Sequence, residues 1–145
     1  MRRPEAEAGR WLAQARDDLD FTRWLLAEGE GRFHDKGCFV AQQSAEKAVK
    51  ACLYALGARS VLGHSVVELI GKAGADVPGL ALLGNEARML DRFYIPTRYP
   101  NGLPGGAPFE QFGREDLASA VEMAGRILDA ASAFLGRRAE PPAPR

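Results

Sequence analysis

The residues best suited to bind a phosphate lie in two short stretches of the sequence. Residues 36–56 form the second predicted helix, and its polar face carries Gln43, Glu46, Lys47 and Lys50. The ammonium groups of Lys47 and Lys50 could donate hydrogen bonds to a phosphate or to an RNA backbone. Because Glu46 and Lys50 are four positions apart, the same face could equally be a solvated surface with an ordinary i,i+4 ion pair.

The second stretch is Arg98 and Tyr99, which lie between Pro96 and Pro100. The two prolines restrict the backbone, and this lowers the entropy lost when Arg98 is held in place. A guanidinium binds phosphate through two parallel hydrogen bonds, and an aromatic ring stacks on a base. The structural alternative is that Arg98 pairs with a carboxylate while Tyr99 packs over the end of a helical bundle.

His64 is the candidate for proton transfer. It precedes Ser65, which has capping-box spacing to Glu68 and therefore predicts the start of a helix. At that position His64 could transfer a proton or contact a phosphate, since a helix N-terminus favours anions. It could also play a structural role by bonding a carbonyl of the loop. His34 lies in a predicted loop and suggests no special role.

Motifs for metals and common cofactors are missing from the sequence. There is no Glu-x-x-His pair, no zinc-finger spacing, no P-loop and no Gly-x-Gly-x-x-Gly pattern. We therefore expect no metal and no cofactor. Cys38 and Cys52 are 14 positions apart on one predicted helix, which separates them by roughly 21 Å, too far for a disulfide. Free cysteines predict a reduced, cytoplasmic protein.

Composition narrows the class of protein further. The 145 residues include 19 Lys plus Arg and 19 Asp plus Glu, for a formal net charge of zero. A zero net charge argues against a dedicated nucleic-acid coat protein, although a local basic patch remains compatible with it. No apolar run is long enough to cross a membrane, and residues 1–9 lack the apolar stretch of a signal peptide.

Helical periodicity and Gly/Pro punctuation predict five helices. The fold class expected from them is all-α: an antiparallel four-helix up-and-down bundle with an additional short helix. The predicted domain is 10–136, with flexible termini at 1–9 and 137–145. The predicted helices cover about 10–28, 36–56, a short segment from residue 65, 78–95 and 114–135. Asp35 is predicted to cap the second helix and Gly136 to end the last. A loop of about 17 residues is predicted at 96–112.

Three blocks of this sequence together resemble the HEPN family, and the match covers roughly residues 11–135. The blocks are the pattern Phe39, Gln42, Gln43, Glu46, Lys47 and Lys50 on the second helix; Gly63-His64-Ser65 at the third; and Asp91-Arg92-Phe93-Tyr94-Ile95-Pro96-Thr97-Arg98-Tyr99-Pro100 after the fourth. The resemblance implies a bundle of four to five helices that is often a homodimer. Some family members are ribonuclease toxins and others are associated with nucleotide binding. Many prokaryotic members are encoded beside a small nucleotidyltransferase in a toxin–antitoxin-like pair.

The ribonuclease branch of the family uses an Arg followed by a His after four to six residues. Arg98 is followed at those distances by Leu103, Pro104 and Gly105, which cannot transfer a proton. A formal match, Arg59 followed by His64, lies earlier in the chain than the family places its motif. No catalytic residue is therefore assigned, and Arg59 and His64 stand as weak candidates.

Three hypotheses follow from the sequence. The first is a binding module for a nucleotide or RNA that uses Lys47, Lys50, His64, Arg98 and Tyr99 and works with a nucleotidyltransferase. The second is a dimerisation scaffold without a ligand. The third is a metal-independent ribonuclease that uses Arg59 or Arg98 with His64. Whether a partner nucleotidyltransferase modifies Tyr99 is left open.

Overall fold

The computed structural model describes residues 3–139, and within that range the chain consists of helices and connecting loops. The predicted all-α bundle is confirmed. Seven α-helices are present in the described range: α1 (Pro4–Glu28), α2 (His34–Ala55), α3 (Val66–Ala73), α4 (Pro78–Ala81), α5 (Gly84–Asp91), α6 (Pro108–Gln111) and α7 (Arg114–Ala139), with single 3-10 turns at Gly74–Asp76 and Pro100–Gly102.

Helices α1 and α2 form an antiparallel hairpin. The Ser44 hydroxyl of α2 donates to the Ala15 carbonyl of α1 at 2.9 Å, and the Trp11 ring lies 5.3 Å from the Tyr54 ring, centre to centre. Trp11 is near the start of α1 and Tyr54 is near the end of α2. The two helices therefore run in opposite directions along their full length.

Helix α7 runs parallel to α2 and antiparallel to α1. Near the starts of α2 and α7, Gly37 approaches Leu117, and further along, Cys52 Sγ lies 4.0 Å from the Ala131 carbonyl oxygen. The Arg16 guanidinium of α1 donates to the Ser132 hydroxyl of α7 at 3.1 Å. The chain between α2 and α7, which carries α3 to α5, therefore returns along the bundle and packs on both of these helices.

The seam of α2 consists of small side chains, as its sequence predicted. Small side chains let neighbouring backbones approach, so α1 and α7 can both pack closely against α2. The members Cys38, Ala41, Ala45, Ala48 and Cys52 are all fully buried, and Ala55 is nearly so.

Several helix ends differ from the prediction. Helix α1 begins at Pro4, because proline suits the first helical position and Glu5 and Glu7 complement the helix dipole. Helix α7 continues through Gly136 to Ala139, so the prediction that Gly136 ends it was wrong. Residues 4–9 and 137–139, which the sequence predicted to lie outside the domain, are thus part of these helices, and residues 1–2 and 140–145 lie outside the described range.

The predicted cap of α2 was also wrong. Asp35 lies inside the first turn and is buried, whereas the residue that precedes the helix is Phe33, in a left-handed conformation with φ 64°. The predicted fourth helix is divided into α4 and α5, because Leu83 leaves the helical region at ψ 28°. Among residues 3–139, no helix combines the length and apolar character that crossing a bilayer requires.

Candidate functional site

The Asp91 carboxylate joins two of the three sequence blocks. It accepts hydrogen bonds from the Ser65 hydroxyl at 2.8 Å, from the Val66 backbone N–H at 2.7 Å and from the Val67 N–H at 3.1 Å. The Ser65 hydroxyl in turn accepts from the backbone N–H of Glu68, as predicted. A side chain of this protein therefore occupies the anion position at the start of α3, where a phosphate contact beside His64 had been considered.

The first block is tied to the second through Gln42. This side chain is fully buried, and its amide donates to the His64 carbonyl oxygen at 2.7 Å. The Gln43 amide links two neighbouring side chains of α2, since it donates to the Gln42 amide oxygen at 2.7 Å and to Glu46 Oε1 at 3.3 Å. All three blocks thus meet on one side of α2, and part of what they share is structural.

Lys47 and Lys50, the predicted phosphate donors, are already engaged by carboxylates. The side chains of Lys50 and Glu46 are 7% and 5% exposed and form an ion pair at 3.2 Å. The Lys50 ammonium also lies 5.6 Å from the centre of the Trp11 ring. Lys47 is paired with Asp18 of α1. Helix α1 therefore covers much of the face that the sequence suggested was open.

His64 lies at the edge of this buried pair. Its Nδ1 is 3.2 Å from Glu46 Oε1, and its ring stacks on Tyr94 with centres 4.8 Å apart and an interplanar angle of 17°. The side chain is 58% exposed, so solvent reaches the ring. When Nδ1 carries the proton and donates to Glu46, Nε2 is the free acceptor nitrogen.

Arg98 is held by aromatic rings rather than by a carboxylate. Its guanidinium carbon lies 4.5 Å from the centre of the Phe39 ring, 4.4 Å from Tyr94 and 5.2 Å from Tyr99. Its Nε donates to the Tyr94 carbonyl at 2.7 Å. No carboxylate among residues 3–139 forms an ion pair with it, so its two terminal nitrogens remain available to an anion.

The structure brings Arg98 and His64 to the same ring, Tyr94. Tyr99 is half exposed beside Arg98. Arg59, in contrast, lies exposed in the connection between α2 and α3, with no hydrogen bond or ion pair to another described residue. Phe39 and Tyr94 belong to the site, although the sequence had suggested no role for either in binding. Their presence in the first and third blocks was the only signal.

A cavity of about 440 Å³ opens beside Arg98, between α2 and the loop that leads to α6. Its volume lies within the range of small-ligand pockets. It combines one guanidinium and one ammonium with aromatic walls, and its lining residues are Asp35, Lys36, Phe39, Val40, Thr97, Arg98, Pro108 and Phe109.

The two cysteines lie in the core and do not line this cavity. Burial raises the pKa of each thiol to about 12, and for Cys38 the carboxylates of Asp116 and Asp35 add to the effect. Both cysteines are free. In the described part of the chain, no three His, Cys, Asp or Glu side chains converge as a metal site requires.

Comparison with known proteins identifies a family for the fold. A model of the HEPN domain matches residues 8–134. The protein TT1696 from Thermus thermophilus is 34% identical, with a TM-score of 0.80, over 88% of this chain and 98% of that one. ST0689, an archaeal HEPN homologue, is 32% identical, with a TM-score of 0.71, over 93% and 99% of the two chains.

A HEPN domain protein from Thermotoga maritima is 30% identical, with a TM-score of 0.66, over 88% of this chain and 98% of that chain. No curated protein sequence matches.

Proposed function

The chain belongs to the HEPN domain family, and from this premise we propose that it binds a nucleotide or RNA through a site centred on Arg98. The observation that carries the proposal is the state of the Arg98 guanidinium. Three rings and one carbonyl orient it, no described carboxylate neutralises it, and a cavity of about 440 Å³ opens beside it.

This arrangement favours a phosphate over other ligands. A guanidinium fixed in a plane loses little entropy when it donates two parallel hydrogen bonds to phosphate oxygens. The aromatic wall of the cavity, formed by Phe39 and Phe109, suits a base or a sugar, and half-exposed Tyr99 lies next to Arg98 outside the lining. A nucleotide offers both kinds of group at once.

The other predicted residues take different roles in this proposal. His64 supplies a second polar contact through Nε2, since Glu46 faces Nδ1. Lys50 does not touch the ligand, because its ammonium neutralises Glu46 in the interior. Lys47 has a similar supporting role at Asp18.

A ligand panel tests the proposal. We expect the Tm to rise with one class among nucleotides and short RNAs, since a ligand at a hundred times its Kd adds about 2.7 kcal/mol of stability. Arg98→Ala should abolish this rise. The matched control is Arg126→Ala on α7, an exposed arginine paired with Glu122 and remote from the cavity. An Arg98→Ala protein that keeps the full shift contradicts the proposal.

The assembly expected from the family is part of the same proposal. We propose a homodimer that works with a small nucleotidyltransferase in a toxin–antitoxin-like pair in the cytoplasm. Phe21 and Trp24, three positions apart on α1 and both exposed, offer apolar surface for a contact between copies. Sedimentation velocity of the protein alone tests the dimer, and a monomer at all concentrations contradicts it.

A ribonuclease is a second candidate, favoured by the contact between Glu46 and His64. In that mechanism the His64 Nε2 takes the proton of a 2′-hydroxyl, and Arg98 stabilises the charge that develops on the phosphorus oxygens. We expect RNA cleavage without divalent metal if this candidate holds, and its loss in His64→Ala. If the His64→Ala protein still cleaves RNA, the assignment of His64 as the general base is wrong.

The scaffold hypothesis has its own support. Gln42 and Asp91 join the three sequence blocks through buried or backbone hydrogen bonds that need no ligand. A wild-type protein whose Tm responds to no ligand in the panel would favour this hypothesis over the binding module.

A further inference from the structure

A second cavity, of about 250 Å³, adjoins the Arg98 cavity. It is formed where α1 connects to α2, and its lining residues are Gly31, Arg32, Phe33, His34, Lys36 and Phe109. Lys36 and Phe109 also line the Arg98 cavity. The two cavities therefore share a wall and form one continuous surface.

Two exposed phenylalanines define this surface. Phe33 is 49% exposed and Phe109 is 67% exposed. Exposure of these two large apolar rings does nothing to stabilise the fold. Phe33 is held in the left-handed backbone region at φ 64°, which costs a non-glycine residue free energy. Packing in the core does not offset this cost, since the ring lies outside the core cluster.

Cations alternate with these rings. The Arg32 guanidinium carbon lies 4.5 Å from the centre of the Phe33 ring, and Lys36 Nζ lies 5.8 Å from the same centre. Arg32 forms no ion pair within residues 3–139. The one acidic residue that lines either cavity is Asp35, which is 3% exposed and pairs with Lys36 at 3.0 Å. The surface is therefore locally basic in a protein of zero net charge.

Alternating aromatic rings and cations are suited to a single-stranded nucleic acid. Its bases are free to stack on rings, and its phosphates recur along the strand to meet the cations. A duplex hides its bases in an internal stack and cannot use the phenylalanines. A single nucleotide fills one cavity and leaves the other empty.

We propose that Arg32, Phe33, Lys36, Arg98 and Phe109, the aromatic–basic track, bind single-stranded RNA across both cavities. Bases stack on Phe33 and Phe109, and the three cations contact successive phosphates. This inference rests on the proposed function at Arg98 and extends it from one nucleotide to a strand.

Phe33 and Arg32 make the inference testable, because they line only the second cavity. The experiment measures fluorescence anisotropy of a labelled short single-stranded RNA and of a labelled mononucleotide. Phe33→Ala should weaken RNA binding by about 5- to 150-fold, the range for loss of one stacked base. Arg32→Ala should weaken it as well. Mononucleotide affinity should be unchanged in both variants.

Two further variants guard against a trivial loss of binding. Phe33→Trp keeps a ring and should retain RNA affinity, while the unchanged mononucleotide affinity of Phe33→Ala excludes a folding defect in that variant. Leu82→Ala, between α4 and α5, removes an exposed apolar side chain outside both cavities and should have no effect.

The outcomes separate the two proposals. If Phe33→Ala leaves RNA affinity unchanged while Arg98→Ala weakens it, the track is wrong and the Arg98 site stands. RNA duplex that binds as tightly as the single strand also overturns the track. If the wild-type protein binds neither RNA nor mononucleotide, the proposed function fails and the track fails with it.

Discussion

Glu46 and Lys50 are the residues whose roles the structure changes most. Their ion pair is buried, so removing one partner strands a charge in the interior. We predict that Lys50→Met lowers the free energy of unfolding by about 3–5 kcal/mol. The double variant Glu46→Gln, Lys50→Met should recover most of the loss, because no charge remains buried. Urea unfolding of the four proteins in this double-mutant cycle measures both effects.

The chain contains a matched control for this pair. Glu122 and Arg126 have the same i,i+4 spacing on α7, but their side chains are 66% and 55% exposed. Arg126→Ala should therefore cost only a few tenths of a kcal/mol. Equal losses at the two pairs would mean that burial does not determine the role of Lys50.

The cysteine thiols give a prediction about pH. Burial raises the pKa of Cys38 and Cys52 to about 12, above the 9.0 of an unperturbed thiol. Below pH 9 the thiols are neutral in the folded and the unfolded protein, and the stability that they contribute is fully present. As the pH rises from 9 towards 12, the thiols ionise only in the unfolded protein, so the free energy of unfolding falls. Replacing both cysteines with Ala should flatten that decline, measured by denaturant unfolding across this pH range. An unchanged slope would contradict it.

At the residue scale, the sequence indicated the candidate residues but not the contacts that each of them makes in the fold. Arg98 is held in place, as its flanking prolines indicated, whereas its contact with a ligand stays a prediction. Lys47 and Lys50 were predicted to be open because their spacing shows a polar face but cannot show what covers it. Their partners Asp18 and Trp11 are on α1, about thirty or more residues earlier in the chain.

At the scale of the helices, the seam of α2 is packed so closely that an added methyl group at Gly37 would overlap its neighbours. A Cβ on Gly37 would lie 2.5 Å from Leu117 Cδ1 and 2.8 Å from Leu25 Cδ2, which are side chains of α7 and α1. We predict that Gly37→Ala destabilises the fold by about 1–3 kcal/mol through overpacking, although alanine is the better helix former. Thermal unfolding measures the change.

Gly136 is the matched helical glycine. A Cβ there would meet nothing within 4 Å, so Gly136→Ala in α7 should stabilise the protein by about 0.5–1 kcal/mol. Because only Gly37 is closely packed, we expect the Gly→Ala change to destabilise the protein at position 37 and to stabilise it at position 136. A stabilising Gly37→Ala would show that the three long helices are less closely packed than described.

Element prediction succeeded where the hydrophobic pattern was long and failed at helix ends. The stripes of α1, α2 and α7 repeat over several turns, which makes those helices easy to recognise. Gly136 resembled a stop signal, but Arg138 of the same helix donates to the Ala55 carbonyl and anchors the last turn. The break at Leu83 is followed directly by Gly84, but the apolar pattern continues across it from Leu83 to Ala87 and Leu90, and this continuity predicted a single helix.

At the scale of the whole molecule, charge is balanced overall and uneven locally. If the three cations of the track carry the binding, log affinity for single-stranded RNA should fall with log salt concentration with a slope of about −2, at roughly 0.7 per neutralised phosphate. A salt titration of anisotropy measures this slope. A slope near zero would contradict a phosphate-based site.

The topology explains why distant blocks of sequence form one site. Helix α2 is packed between α1 and α7, so one of its remaining sides receives the loops that carry His64 and Arg98. The resemblance to HEPN domains predicted the bundle. It could not predict which members of the shared blocks hold the fold together and which face a ligand, since that division depends on contacts between blocks.

The most direct test of the account is to map the binding surface by NMR. Backbone amide spectra of the full chain would be recorded during titration with a short single-stranded RNA. The account predicts that shift changes cluster at the Arg98 cavity and the start of α2, with little change along α7, and that Arg98→Ala removes them. Changes centred on another face, or unaltered in Arg98→Ala, would contradict the central claim that Arg98 organises the binding site.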